Sequence, residues 1–207
     1  MEFKTKYQGR EVPFPSKQIK KSAAKLSPRK LERLSVLAER EMRKYLTAVA
    51  DEMDRRHGGA WPGGTTNTTL SKRSGAMLKS IRNFMVRRNG MDTTGHIRLR
   101  RDRIIHETGG WIRATRSQYL TIPLSAALKP DGTPRKRSAR EWQNTFVRRS
   151  RNGNLIIFQT RGTRIVPLYV LKKKVRIRAR LGLRKALTRL RPLFRRAMLA
   201  HIRDLKG

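Results

Sequence analysis

SPRKLERLSVLAEREMRKYLTAVADEMDRRHGG, residues 27–59, contains a helix start, a buried stripe and a helix stop. Ser27 is a residue type that caps helices, and Pro28 suits the first helical position, where its missing N–H is not needed. Leu31, Leu34, Ala38, Met42, Tyr45, Val49 and Met53 then recur at intervals of three and four, which places them on one face. His57-Gly58-Gly59 ends the run. At about three to four heptads the stripe is near the minimum for a coiled coil, so it is expected to pack on the protein's own sheet.

Downstream the period shortens. A loop is expected over residues 60–71, around Trp61-Pro62-Gly63-Gly64. A short helix should begin near Ser74 and carry Met77, Leu78 and Ile81. A strand over 83–87 then exits at Asn89-Gly90, and residues 96–100 alternate as a half-buried strand does. Ile104 to Trp111 reads as a segment bent at Gly109-Gly110, and Tyr119–Leu124 as extended. Asn152-Gly153 between 145–149 and 155–160 is a strong hairpin signal, and Arg161-Gly162 offers a second turn into 164–171. Val175, Ile177 and Ala179 alternate with Lys174, Arg176, Arg178 and Arg180, predicting a strand with one cationic face. A last helix carries Leu183, Leu187, Leu190, Phe194, Met198, Ile202 and Leu205 on one side, with Pro192 expected to kink or split it. The class is α+β: an N-terminal helix, a small, mostly antiparallel sheet and a C-terminal helix, with basic extensions.

Residues 1–27 contain Lys4, Lys6, Arg10, Lys17, Lys20, Lys21 and Lys25, with Pro13 and Pro15. They are expected to form a basic arm that orders against a partner. Residues 28–207 are expected to form one domain, with a projecting polar loop at 129–140 that carries Arg135, Lys136 and Arg137.

Charge is the dominant compositional fact. Fifty-one Lys and Arg oppose 14 Asp and Glu, a formal net charge of +37 at pH 7. Self-repulsion on that scale opposes compaction, and phosphate, an acidic partner surface or an anionic membrane could each relieve it. Hydrophobic residues at 37% in periodic patterns argue against a wholly disordered chain. With no Cys, disulfides and thiolate metal sites are excluded. No apolar run approaches the roughly 18 residues a membrane span needs, so no membrane partner is expected.

Every charged side chain from Lys172 through Arg203 is cationic. Lys172, Lys173, Lys174, Arg176, Arg178 and Arg180 of that run, with Arg135, Lys136 and Arg137 of the 129–140 loop, are the candidate contacts for DNA or an acidic partner. On a strand, alternate residues stand about 6–7 Å apart on one face, a spacing able to follow a phosphate backbone. No zinc-finger or RNA-binding-sheet signature occurs, so contact through charge, independent of sequence, is expected.

Catalytic and cofactor signatures are sparse. His106-Glu107 lacks the second His of a zinc-protease helix, because residue 110 is Gly. The four His are scattered, and no phosphate loop or dinucleotide fingerprint is present. Asp102, His106 and Glu107 form the nearest approach to a metal-dependent nuclease. The expectation is no enzyme and no cofactor, with His106 and Glu107 as polar ends of a sharp turn.

Three blocks carry a family resemblance. Trp61-Pro62 before a Thr-rich loop, then Leu70 through Ile81 with Ser74, Gly75 and Leu78, resembles the "L-T-x-[ST]-G-x-L-x-x-S-I" block of phage virion morphogenesis proteins. These are the tail-completion or head-to-tail joining proteins of long-tailed bacteriophages. Ile105-His106-Glu107-Thr108-Gly109-Gly110 resembles their "I-H-E-x-G-G". Pro167–Leu171 and then Val175–Gly182 resemble a third block, usually "V-x-I-P-A-R", with Arg178 where Pro is usual. The resemblance spans roughly residues 60–183. It implies a structural subunit forming a ring, usually a hexamer, that joins the tail to the head connector. Neighbouring neck and tail proteins would then be partners, DNA would pass through the lumen, and the place would be the virion, assembled in the host cytoplasm. A free sequence-independent nucleic-acid-binding protein, of nucleoid or ribosome-associated kind, is the alternative.

Overall fold

The chain is α+β and divides into two units in the computed structural model, which describes residues 1–12, 14, 16–60 and 69–207. Unit 1 comprises residues 1–58, 75–107 and 181–207, and unit 2 comprises 59–74 and 108–180. Where the sequence predicts one domain after an arm, the chain divides in two, and the arm is built into unit 1.

The helix predicted from residue 28 forms as α2 (Pro28–His57), and its stripe from Leu34 to Met53 is buried. A four-stranded sheet packs on it, in the order β2 (Arg10–Val12), β1 (Phe3–Tyr7), β4 (Asp92–Ile97), β3 (Met85–Asn89). The supposed arm therefore supplies an inner strand: β1 runs parallel to β4 in the register Phe3↔Thr93 to Tyr7↔Ile97. Its pattern explains this, since Phe3, Thr5 and Tyr7 alternate with lysines and are buried while Lys4 and Lys6 stay outside. The short helix α1 (Lys17–Ala23) buries Ile19 and Ala23. Gly95 of β4 lets the sheet approach α2, because a Cβ there would lie 2.7 Å from Leu46 Cδ1.

α5 (Leu183–Lys206) packs along α2 and is not split at Pro192, which is exposed. Proline removes the N–H that the Thr188 carbonyl would otherwise accept, and Arg191 Nε donates to that carbonyl at 3.3 Å instead. Phe194 contacts Phe3 and Phe14 edge-on at ring separations of 5.3 and 5.0 Å. Tyr45 donates from its hydroxyl to the Leu187 carbonyl at 2.6 Å. α3 (Ala76–Arg82) buries Leu78 and Ile81 and contacts α2. It begins one residue after Gly75, whose φ of 67° suits glycine.

Residues 104–108, predicted as part of a bent extended segment, instead complete a helix, α4 (Arg101–Thr108). A hydrogen bond from outside the local sequence, Leu181 N–H to the His106 carbonyl at 2.7 Å, satisfies the end of that helix.

Unit 2 is built from antiparallel strands. β6 (Leu120–Pro123), β9 (Arg164–Lys172), β8 (Leu155–Arg161) and β7 (Thr145–Arg149) form a sheet in that order. The Asn152-Gly153 turn joins β7 to β8 as the sequence predicts, and a bulge near Ile157 and Phe158 interrupts the β8–β9 register. Its small core holds Ala127, Trp142, Leu168 and Tyr169. Apart from this sheet, β5 (Gly110–Arg113) and β10 (Lys174–Ile177) form a two-stranded ribbon.

The 129–140 segment does not project as a free loop. Leu128 bridges to Pro134, Arg135 N–H donates to Ala127 O at 2.9 Å, and the Thr133 N–H donates to Asp131 Oδ1 at 2.8 Å. Its polar residues satisfy one another locally, so the segment folds as a chain of turns.

Candidate nucleic-acid interface

The predicted cationic strand is shorter than its alternation suggests. β10 ends at Ile177, so Arg178 and Arg180 leave the strand, whereas Lys174 and Arg176 stay on it. Pairing with β5 then adds what sequence reading missed. Lys174 stands opposite Arg113 and Arg176 opposite Trp111. Directly opposed residues share a face, so one side of the ribbon carries Arg113, Lys174, Arg176 and Trp111. Ile112, Val175 and Ile177 lie on the other. No local signal in residues 110–113 could have placed Arg113 beside Lys174, because register is a nonlocal property.

Gly109 and Gly110 make the ribbon possible. Gly109 has φ +68°, and a Cβ there would meet Ala179 N at 3.1 Å and Ile177 O at 3.2 Å. A side chain would push the strands apart, which gives the glycine pair of the second block a structural cause.

Electrostatically the ribbon stands almost unopposed. Unit 2 contains two acids, Asp131 and Glu141, against twenty Lys and Arg. Both acids are occupied near their own positions, Asp131 by Thr133 and Glu141 by the Arg137 N–H at 3.3 Å. Among the described residues, Arg113, Lys174 and Arg176 meet no carboxylate in an ion pair. The Lys174 ammonium lies instead over the Trp111 ring, 5.0 Å from its centroid.

Other candidates are placed differently. Lys172 donates to the Asn154 side chain, and Lys173 is exposed beside the ribbon. Arg135 and Lys136 turn back on the chain: Arg135 Nε donates to Leu128 O and Lys136 Nζ to Glu141 O, each at 2.8 Å. Arg137 lies with Lys136 and Tyr169 on a small pocket of about 310 Å³. The long cationic run also divides. Residues 172–180 belong to unit 2, and 184–203 lie on α5 in unit 1.

His106 and Glu107 are not the ends of a turn. Glu107 accepts from the Leu183 and Arg184 N–H groups at 2.8 and 3.0 Å, one oxygen to each, and so caps α5 from a distance in sequence. His106 O accepts from Leu181 N at 2.7 Å. The Leu181 carbonyl in turn accepts from buried His57 Nε2 at 2.9 Å. Burial holds the His57 imidazole below its usual pKa, and the Arg56 charge acts in the same direction. Tyr7, also buried, has its phenol pushed up to about 12, first by burial and then by the Glu107 charge. Asp102 pairs with Arg100 at 3.3 Å. Among the described residues no group of three His, Cys, Asp or Glu could hold a metal ion, and no helix is long and apolar enough to cross a membrane. Ser74 lies in unit 2 and is exposed, and Trp61 lies outside the described residues.

No protein-family model, no curated protein and no solved structure matches the chain.

Proposed function

We propose that this chain is a structural protein of a phage neck or tail, assembling as a ring with nucleic acid in its lumen. The observation that carries the nucleic-acid part is the β5–β10 ribbon, a cationic face with no carboxylate partner among the described residues, in a unit that has only two acids. Counterions released from a phosphate backbone would drive such contact, without reading bases. The ring and the virion rest on the three ordered blocks between residues 60 and 183. Their residues act structurally: Gly109 permits a close strand approach, Leu78 and Ile81 are buried, and Glu107 caps a helix. A carboxylate committed to two helix N–H groups is poorly disposed to bind a metal ion, so a structural role suits Glu107 better than a nuclease role. A head-to-tail contact repeated around a closed ring would multiply the charge around one channel.

Negative-stain microscopy of purified full-length protein, with a search for it in purified particles, tests this reading. Closed rings and particle association are expected. A second reading, a free sequence-independent nucleic-acid-binding protein, is favoured by the same ribbon. A discrete monomer that binds DNA and is never found in particles would select it.

A further inference from the structure

Unit 2 treats its two described indoles in opposite ways. Trp142 is 8% exposed, donates from Nε1 to the Tyr169 hydroxyl at 2.9 Å, and is covered by Lys136 and Arg161 at 5.4 and 5.7 Å. It belongs to the core. Trp111 is 54% exposed, on the ribbon face that also carries Arg113, Lys174 and Arg176. Packing accounts for the first ring and leaves the second unused, although an indole is among the most costly side chains to leave in water.

The four side chains form a two-by-two patch. Neighbours across the ribbon are about 4.5–5.5 Å apart and neighbours along it about 6–7 Å. An aromatic surface set among cations at that spacing matches a ligand in which flat π surfaces alternate with phosphates. Inside a duplex the base faces are covered by their neighbours, so only an unpaired strand offers both groups at once.

We infer that the β5–β10 ribbon is a binding site for single-stranded nucleic acid, with Trp111 stacking on a base and Arg113, Lys174 and Arg176 holding the flanking phosphates. This deepens, and rests on, the reading that the ribbon meets nucleic acid. Stacking tolerates any base, so the site selects strandedness rather than sequence. Lys174, which lies over the indole in the free protein, is positioned to exchange that contact for a phosphate.

The test uses full-length protein, a labelled thymine-only strand followed by fluorescence anisotropy, and relaxed circular duplex DNA as competitor. Trp111→Ala is expected to weaken single-strand binding about 5- to 150-fold and leave duplex competition unchanged. Trp111→Phe should retain most of the affinity, whereas Trp111→Leu, which keeps an apolar side chain without a π surface, should behave as the alanine variant does. Replacing Arg113, Lys174 and Arg176 together with Gln should weaken both ligands and reduce the salt slope by about two to three. Equal weakening of both ligands by Trp111→Ala, or none, overturns the stacking site while leaving charge-driven binding intact. If neither DNA binds the wild-type protein, the nucleic-acid reading fails and the stacking site with it.

Discussion

In unit 1, Glu52 meets both Arg55 and Arg189, Glu41 meets Arg40, Lys44 and His201, and Arg82 meets Asp51 and Asp54. In unit 2 the cations meet carbonyls, an amide and indole rings instead. Unit 1 has twelve acids for 31 Lys and Arg, unit 2 two for twenty. The aromatic residues differ in the same sense. Among the described residues unit 1 buries Phe3, Tyr7, Tyr45 and Phe194 and exposes no aromatic ring, whereas unit 2 leaves Trp111 and Phe146 substantially exposed. One unit is organised around its own interior. In the function we propose, the other is turned toward a polyanion, which its unbalanced charge would attract.

The comparison breaks if the interior of unit 1 is not where stability resides. Phe194→Ala should cost about 3–5 kcal/mol, since it empties a site where three aromatic rings meet. Phe146→Ala in unit 2 should cost far less, and denaturant melts of the two variants measure the contrast. Equal losses would show that unit 2 has a core as demanding as that of unit 1.

Smaller effects sharpen it. Glu107→Ala should lower stability by about 1–2 kcal/mol, because two N–H groups at the start of α5 lose their acceptor. Glu107→Gln, which keeps one carbonyl oxygen, should lose less in the same melts. A catalytic carboxylate would instead abolish an activity without that graded loss.

Acidity probes unit 1 next. The folded-state pKa of His57 is depressed, so its contribution to stability is fully present above the usual imidazole value of 6.5 and declines as pH falls below it. The melting temperature should therefore drop between pH 7 and pH 5.5. His57→Gln, which keeps a donor for the Leu181 carbonyl but cannot titrate, should reduce that drop. Glu41 acts in a lower window. Burial pushes its carboxyl up, but Lys44 and His201 outweigh this and leave its pKa below 4.5. Its contribution is present above that value and fades only as pH falls further.

The smallest expected change in stability belongs to the ribbon. Replacing Arg113, Lys174 and Arg176 with Gln should shift unfolding by no more than about 0.5 kcal/mol, while the salt dependence of DNA binding falls. A large loss of stability would mean that these cations hold the fold together, and the contrast between the units would fail.

Much of the secondary structure was legible because it is written in local patterns. The stripe from Leu34 to Met53, the Asn152-Gly153 hairpin and the C-terminal helix each carry a complete signal within a few turns of chain. The N-terminal strand is hidden in the sequence because lysine density suggests an arm, and the alternation of Phe3, Thr5 and Tyr7 has its partner strand, β4, about ninety residues on. α4 was missed because its C-terminal end carries two glycines and its role lies in capping a distant helix. Of the candidate site, Lys174 and Arg176 were legible from alternation alone. Arg113 and Trp111 were not.

Composition alone established that the chain carries a large unopposed positive charge and no thiol chemistry, and periodicity established helices flanking an antiparallel core of strands. Pairing decided the rest. Register placed Trp111 and Arg113 beside Lys174 and Arg176, the break after Ile177 removed Arg178 and Arg180 from the strand, and the close of α4 turned Glu107 into a helix cap. Each outcome depends on which residues far apart in sequence come within a few ångströms. Hydrogen-bond register and packing set that distance, and no local window of sequence contains it.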